Sequence, residues 1–298
     1  MSPAPIFQHP LAYLLGLQGV ALMRAYAGDY DRDFTLARLA EVRALLDRAD
    51  QLGDGVVVPP LPTDDGYGTW APSYDGDNPF FAMDESQLLP ILDALAPGVA
   101  ADVACGTGRY TAHLAARGFD VRGFDTSPGM LEIARVKVPA ADFGLAEMAR
   151  LPIADHSVDI VVNTLALSHV EDLAPAFAEA ARVLRPGGHL LVSDVRGYFL
   201  GSRRTPLLGQ NELGPGYIPG WAHPTGEYLR AALAAGLVVR DCQELVAPVV
   251  DRPEDEIPVP PTPGEPASIW DLHPWAPVAA RAVRDDRVCL ITWNFVRE

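Results

Sequence analysis

Positive charge is scarce in this chain, and lysine is almost absent. The 298 residues hold 23 Lys and Arg against 39 Asp and Glu, which gives a formal net charge of −16, and the only lysine is Lys137. No extended basic stretch occurs in the sequence. Because affinity for nucleic acids depends largely on Lys and Arg contacts to phosphates, the composition argues against a nucleic-acid substrate.

Cysteine and long apolar stretches are also scarce. Cys105, Cys242 and Cys289 are odd in number and far apart, which predicts three buried thiols in a reducing cytoplasm and neither a disulfide framework nor a metal site. The apolar segment from Leu11 to Met23 is interrupted by Gln18 and is too short to span a bilayer. No basic residue precedes it, so we expect neither a secretory signal nor a membrane anchor.

What the sequence does contain is a glycine turn between two apolar strands, predicted over 99–103 and 121–125. Gly106 and Gly108 allow the chain to turn sharply and a ligand to approach the backbone closely. Asp125 ends the second strand, 19 residues after Gly106. In nucleotide-binding βαβ units, a carboxylate near that distance accepts hydrogen bonds from ribose hydroxyls.

The turn differs from the one that binds dinucleotides, in which a third glycine follows. Thr111 occupies that position here, and Asp102 lies just before the turn. A carboxylate there repels a diphosphate and favours a ligand that carries an ammonium group and a ribose. An oxidoreductase that uses a nicotinamide cofactor is therefore disfavoured.

At this point the sequence resembles the class I S-adenosylmethionine-dependent methyltransferases. The resemblance covers roughly residues 85 to 195 and rests on four blocks in the family's order. They are Asp102-Val-Ala-Cys-Gly-Thr-Gly108, Gly123-Phe-Asp-Thr-Ser-Pro-Gly-Met-Leu131, Leu151-Pro-Ile-Ala-Asp-His-Ser-Val-Asp-Ile160 and Val183-Leu-Arg-Pro-Gly-Gly-His-Leu-Leu191.

The resemblance implies an α/β fold with a Rossmann-like, seven-stranded, mostly parallel sheet, helices on both faces and a last strand that inserts antiparallel. We expect residues 1–83 to form an N-terminal helical segment and a lid or linker, and 84–298 to form the methyltransferase domain. The stretch 195–224 follows the fifth predicted strand, 189–194, and is rich in glycine, proline and aromatic residues without clear periodicity. Such a stretch predicts a functional insert, here a substrate cap.

Apolar spacing in the N-terminal part predicts helices over 10–50. The composition of 53–80, rich in Gly, Pro and Asp, predicts a loop. A further helix is predicted over 84–96, with Asp84 as its N-cap.

The cofactor that the resemblance implies is S-adenosylmethionine. Asp125 would bind the ribose, Glu147 and the backbone after it the adenine, and Tyr74 would close over the bound molecule. Asp102 could instead serve only to cap the glycine turn. The full set of cofactor-binding residues that the family's motifs assign is Tyr74, Asp102, Gly106, Gly108, Asp125, Thr126, Glu147, Met148 and Asn163.

Methyl transfer is an in-line displacement, so the protein's main task is to hold two reactants in line and dry. A general base helps when the acceptor is a hydroxyl. His169 follows the fourth predicted strand, 159–163, and His223 lies at the foot of the predicted cap. Both are therefore predicted catalytic bases, with His273 a weaker choice. Each could instead be a structural histidine.

Two functions of different classes remain open on the sequence. The first is a cytoplasmic methyltransferase that methylates a small molecule, with a secondary metabolite and O-methylation favoured. The second is a protein that keeps the fold and binds the cofactor without methyl transfer, as a cyclase or a binding module. We expect no nucleic acid or membrane as partner, and a monomer or a homodimer.

Overall fold

The computed structural model describes residues 3–76, 78–197, 202–246 and 257–298. Its helices are α1 (Pro10–Ala27), α2 (Arg32–Asp47), α3 (Thr63–Trp70), α4 (Pro79–Ala94), α5 (Arg109–Ala116), α6 (Pro128–Lys137), α7 (Ala174–Val183), α8 (Thr225–Ala234), α9 (Ile269–Leu272) and α10 (Pro277–Arg284). Its strands are β1 (Ile6–Gln8), β2 (Val56–Val58), β3 (Val99–Val103), β4 (Asp120–Asp125), β5 (Asp142–Leu145), β6 (Val158–Thr164), β7 (Leu184–Val195), β8 (Leu207–Asn211), β9 (Gly214–Ile218), β10 (Leu237–Val246) and β11 (Val288–Arg297).

The central sheet has seven strands in the order β10-β11-β7-β6-β3-β4-β5. Strand β3 pairs in parallel with β4 and β6, and β4–β5 and β6–β7 are parallel too. The last strand, β11, lies between β10 and β7 and runs antiparallel to β7, with Leu290 opposite Val195 and Val296 opposite His189. This topology confirms the predicted Rossmann-like, mostly parallel sheet.

Helices cover both faces of the sheet because its central strands are apolar on both sides. Alternate residues of a strand point to opposite faces, so Ile160 and Val162 pack in one core with α4 and α5. Val161 between them packs in the other core with α7 and α8, against Phe177 and Tyr228. This two-sided burial is typical of parallel sheets. The carboxyl ends of β3, β4 and β6 form the edge at which open α/β sheets generally bind ligands.

By its packing the chain divides into two compact units. The first comprises residues 1–60, 212–217 and 246–287, and its core holds Leu14, Leu17 and Trp275. The second comprises 61–211, 218–245 and 288–298 and contains the central sheet. This division falls at 60/61, whereas the predicted domain boundary lies between 83 and 84.

Two predictions about the N-terminal part are corrected. The stretch 53–80, predicted as a loop, contains β2 and α3. Helix α4 begins at Pro79, where the Asn78 side chain accepts a hydrogen bond from the backbone of Phe80, so Asp84 lies inside the helix and does not cap it. By contrast, Ser127 caps α6 and Pro128 begins that helix, as predicted.

The predicted insert 195–224 lies partly outside the described residues, which omit 198–201. The described remainder contains β8 and β9. Its last residues contact the loop after β6: the Trp221 backbone N–H donates to Ser168 O at 2.7 Å. Its role as a substrate cap stays a prediction.

Among the described residues, none of the helices is both long and apolar enough to cross a membrane.

Candidate functional site

A cleft of about 610 Å³ lies at the carboxyl ends of β3, β4 and β6, within the second unit. The lining includes Tyr67, Tyr74, Gly106, Asp125, Met148 and His169. Five of these six residues were predicted as site residues from the sequence, and Tyr67 was not.

The glycine turn leaves β3 and forms the floor of the cleft. Gly106 has φ +54°, a left-handed conformation that favours glycine, and its backbone N–H donates to Asp125 Oδ2 at 2.8 Å. Gly108 has φ +82° and is the N-cap residue of α5. A Cβ added there would lie 3.3 Å from the Cβ of Ala134 in α6. The turn therefore presents Gly106, and not Gly108, to the cleft.

Two non-glycine residues of the lining also adopt positive φ. Ala104 follows β3 with φ +58°, and Leu165 follows β6 with φ +56°. Each such conformation costs about 1–3 kcal/mol and persists only where the surroundings hold it. The Leu165 backbone N–H donates to Ser193 O at 2.8 Å, which fixes the turn at the edge of the site.

Asp125 ends β4 and is held by the backbone on both sides. Its Oδ2 accepts from Gly106 N, and its Oδ1 accepts from Ser127 N at 2.9 Å. Burial raises the pKa of this carboxyl group, and the backbone hydrogen bonds from Ser127, Gly106 and Thr126 act in the opposite direction. A carboxylate has about four acceptor positions, so Asp125 can also accept from ligand hydroxyls. Thr126, beside it, lines the cleft as well.

Tyr74 covers the glycine turn. A Cβ added to Gly106 would lie 3.9 Å from the ring carbon Cε1 of Tyr74. Burial raises the pKa of the Tyr74 hydroxyl to about 12, so it stays protonated. The neighbouring Asp75 is tied to the same turn. Its Oδ1 accepts from Thr107 Oγ1 at 2.6 Å, and its Oδ2 contacts Lys137 Nζ at 2.7 Å.

The turn after β5 supplies the apolar side of the cleft. Ala146 and Met148 line it, together with Met130 of α6. Glu147 lies between the first two and is exposed. Its predicted role toward an adenine amino group stays a prediction.

His169 meets Tyr67 at the wall of the cleft. The Tyr67 hydroxyl lies 2.7 Å from His169 Nε2, and His169 Nδ1 lies 3.1 Å from Pro219 O. A carbonyl oxygen only accepts hydrogen bonds, so Nδ1 carries the proton and Nε2 accepts from Tyr67. Burial lowers the pKa of His169, which keeps the ring neutral at neutral pH.

The structure places His223, the second predicted base, away from the lining of the cleft, and its catalytic role stays a prediction. The ring is buried, with Nε2 2.9 Å from Val170 O and Nδ1 3.0 Å from Glu227 Oε2. Both ring nitrogens therefore lie within hydrogen-bond distance of oxygen atoms of the protein, and His223 is not part of the cleft lining. His223 ties the end of the insert to the loop that carries His169.

Two predicted cofactor contacts also lie away from the lining of the cleft. Asp102 is buried and accepts from Thr111 Oγ1 at 2.6 Å, so it holds the start of α5 against β3. Asn163 is buried beside a second, apolar cavity and donates to Val103 O at 3.0 Å. Neither side chain is part of the cleft lining, and their contacts with a cofactor stay predictions.

Sequence reasoning missed α3, which brings Thr63, Asp64 and Tyr67 to the cleft. A signal was present, since Tyr67, Trp70 and Tyr74 follow a helical spacing of three, four and seven. Their rings form one cluster, with Tyr67–Trp70 and Trp70–Tyr74 centroids 5.8 and 5.3 Å apart. Among the described residues, no group of His, Cys, Asp or Glu could hold a metal ion.

Residues 101–192 match the family model of the methyltransferase domain. The chain is 36% identical over 140 residues to a demethylmenaquinone methyltransferase of Renibacterium salmoninarum, an alignment that covers 45% of this chain and 59% of the relative. It is 39% identical over 97 residues to a malonyl-[acyl-carrier protein] O-methyltransferase of Yersinia pestis, with 33% and 36% covered. The alignments thus span about a third to three fifths of these relatives.

The fold has relatives among solved structures. An S-adenosylmethionine-dependent methyltransferase from Mesorhizobium loti aligns with a TM-score of 0.51 at 20% identity, covering 72% of this chain and 98% of that one. The matched segment 101–192 contains the glycine turn, Asp125 and the loop of His169. The domain match over 101–192 and the shared fold support the resemblance to the class I S-adenosylmethionine-dependent methyltransferases.

Proposed function

We propose that this protein transfers a methyl group from S-adenosylmethionine to a hydroxyl group of a small molecule, which we expect to be a secondary metabolite. The observation that carries the proposal is Asp125, whose carboxylate is fixed at the carboxyl end of β4 beside Gly106. Both residues line a cleft of about 610 Å³.

The residues of the cleft fit S-adenosylmethionine. Asp125 offers acceptor oxygens for the ribose hydroxyls, and Gly106 has no side chain between backbone and ligand. Met130 and Met148 offer a polarisable apolar surface for the adenine ring. When bound, the cofactor supplies a methyl group on a positively charged sulfur, which leaves as a neutral thioether.

The chain's own residues position the reactants and exclude water. Tyr74 covers the glycine turn, and the strained Leu165 borders the cleft where β6 ends. Holding two reactants in line accounts for much of the barrier reduction in such displacements. His169, neutral and with a hydrogen-bonded Nε2, is the base that we propose for the hydroxyl proton.

The choice of a small acceptor is supported by composition and by the relatives. The net charge of −16 disfavours nucleic acid. The two curated relatives are named for a demethylmenaquinone and for a malonyl group on acyl-carrier protein, and the second is an O-methyltransferase by name.

The three cysteines are free thiols, which suits the cytoplasm that we propose as the compartment. A monomer or a homodimer is proposed.

Replacement of Asp125 tests cofactor binding. Loss of hydrogen bonds to a charged group costs about 1.5–3 kcal/mol, so Asp125→Ala should weaken S-adenosylmethionine binding by about 10- to 100-fold in calorimetry. Asp120→Ala is the matched control, because Asp120 begins the same strand and is exposed. Wild-type affinity in the Asp125 variant, with both variants folded by circular dichroism, would contradict the proposed site.

Product analysis separates methyl transfer from cofactor binding alone. Wild-type protein with methyl-labelled S-adenosylmethionine and small hydroxyl compounds should yield labelled product and S-adenosylhomocysteine. Tight cofactor binding with neither product would instead favour the cyclase or binding-module alternative.

A further inference from the structure

Tyr67 and His169 form a hydrogen-bonded pair that lines the cleft. The Tyr67 hydroxyl lies 2.7 Å from His169 Nε2, and the two rings meet edge to face with centroids 5.3 Å apart. The residues are 102 positions apart in the chain. Helix α3 supplies one and the turn after β6 the other.

The direction of this hydrogen bond is fixed by the other side of the imidazole. Because His169 Nδ1 donates to Pro219 O at 3.1 Å, Nε2 has the lone pair and Tyr67 is the donor. The hydroxyl hydrogen of Tyr67 is thus committed to His169. Toward any third group, the Tyr67 oxygen then acts as an acceptor, which is what a proton-bearing substrate hydroxyl needs.

The other acidic groups of the cleft are less suited to take that proton. Asp125 is held by the backbone N–H groups of Gly106 and Ser127 and is proposed to face the ribose. Asp64 is exposed to water at the start of α3. The neutral imidazole of His169, by contrast, has a lone pair on Nε2 that can accept the proton of the Tyr67 hydroxyl.

We infer that Tyr67 is the catalytic residue that contacts the acceptor hydroxyl, and that His169 holds the proton that is released. The inference deepens the proposed methyl transfer and rests on it. The acceptor oxygen would form its bond to the methyl carbon as the carbon–sulfur bond breaks, with S-adenosylhomocysteine as the leaving group. The acceptor O–H bond breaks in the same step, and its proton passes to Tyr67 Oη. Tyr67 passes its own proton to His169 Nε2, so Tyr67 ends neutral and His169 ends as an imidazolium.

The kinetic test uses Tyr67→Phe, which removes one hydroxyl and keeps the ring in the aromatic cluster. The probes are methyl-labelled S-adenosylmethionine and a panel of catechol, 4-nitrophenol and benzyl alcohol. Loss of general-base catalysis should lower kcat by about 100- to 10,000-fold. The affinity for the cofactor should stay within about twofold of wild type, because the hydroxyl that is removed is hydrogen-bonded to His169 and is proposed to contact the acceptor. His169→Gln should lower kcat to a similar extent. Tyr26→Phe is the matched control, since Tyr26 is 97% exposed, and should change nothing.

A spectroscopic readout tests the pair without turnover. In protein labelled with 15N-histidine, the Nε2 resonance of His169 should report a hydrogen-bonded lone pair and move downfield in Tyr67→Phe, but not in Tyr26→Phe. An unchanged His169 resonance in Tyr67→Phe would contradict the hydrogen-bonded pair. A shifted resonance with wild-type kcat would contradict the catalytic role.

The outcomes separate this inference from the proposed function. Wild-type protein that binds the cofactor but methylates none of the three probes contradicts hydroxyl methylation, and with it the catalytic part of the inference. The nitrogen spectrum then still decides whether the pair exists. Methylation by wild type together with an unaffected Tyr67→Phe variant overturns the inference alone.

Discussion

At the scale of single residues, two strand-end carboxylates show how position decides role. Asp102 lies in β3 and Asp125 ends β4, and both were predicted to contact the cofactor. Asp125 lines the cleft, whereas Asp102 is 1% exposed and bonded to Thr111. Burial raises the pKa of Asp102 to about 6. The charged form of this side chain therefore destabilises the fold at neutral pH.

Asp102→Asn should keep cofactor binding and raise stability at high pH. The amide is similar in shape to the carboxylate, and the Thr111 hydroxyl can rotate to accept from it. We expect an affinity for S-adenosylmethionine within about threefold of wild type and a free energy of unfolding at pH 8 that is higher by about 1–3 kcal/mol. Calorimetry and urea denaturation measure both. A tenfold or greater loss of affinity would instead support the contact predicted from the sequence.

The motif residues of the site were predictable because local chemistry requires them. A glycine is needed at Gly106, where φ is +54°, and a carboxylate at the end of the next strand follows from the topology. Tyr67 was not predictable as a partner of His169. Their hydrogen bond joins two elements whose proximity depends on how α3 packs, and no local pattern encodes that contact.

At the scale of elements, the segment over the glycine turn is held by the chain's only lysine. Lys137, the last residue of α6, contacts Asp75 Oδ2 at 2.7 Å and Thr107 Oγ1 at 3.0 Å. Burial alone would raise the pKa of Asp75, and the hydrogen bonds from Lys137 and Thr107 more than offset this, so its pKa is lowered. The ion pair thus ties the Tyr74–Asp75 segment to the floor of the cleft.

Lys137→Ala should loosen this segment and weaken cofactor binding modestly. The pair is partly exposed, and such pairs contribute about 0.2–1 kcal/mol. We therefore expect calorimetry to show about a two- to fivefold weaker affinity for S-adenosylmethionine. A companion stopped-flow experiment should show that faster dissociation accounts for most of the loss. Arg135→Ala, an exposed residue of the same helix, removes the same charge and should have no effect. Equal effects of the two variants would show that only net charge matters.

Helix α3 itself was missed because its start and its composition lack the usual helix signals, although its aromatic residues recur at helical spacing. It follows Pro62 without a side-chain N-cap and contains two glycines within eight residues. One of them is needed for packing, since a Cβ at Gly66 would lie 2.5 Å from Ile218 Cδ1. Tertiary packing therefore overrides weak helix propensity here, and composition alone predicted a loop.

At the scale of the whole molecule, the seven-stranded sheet was predictable and the division into units was not. Alternating apolar strands and helices dictate a parallel sheet. The first unit, by contrast, joins segments from both ends of the chain, as in the packing of Arg48 over the Trp275 ring at 4.4 Å. A contact between residues so distant in sequence leaves no trace in local periodicity.

Charge on the whole molecule sets how its stability depends on pH. Burial raises the pKa of the carboxyl groups of Asp84, Asp102, Asp125 and Asp194. When a carboxyl group has a higher pKa in the folded than in the unfolded state, its protonation favours the folded state. This contribution to the free energy of unfolding is present at low pH and is lost as pH rises through the folded-state pKa. For Asp102 alone, a shift from 3.8 to about 6 corresponds to about 3 kcal/mol. Repulsion from a net charge of −16 acts in the same direction.

Stability should therefore change little from about pH 8 to 7, rise as pH falls from about 7, and reach a maximum between about pH 5 and 6. Below that range two effects reverse the trend. His169, whose pKa is lowered by burial, then takes up a proton more readily in the unfolded chain. The paired carboxylates with lowered pKa, such as Asp159 and Glu179, lose their stabilisation as pH falls toward 4 and below. Urea denaturation at about pH 8, 7, 6 and 5 measures the curve. Asp102→Asn should flatten it, and a steady fall in stability from pH 8 to 5 would show that the buried carboxylates do not control it.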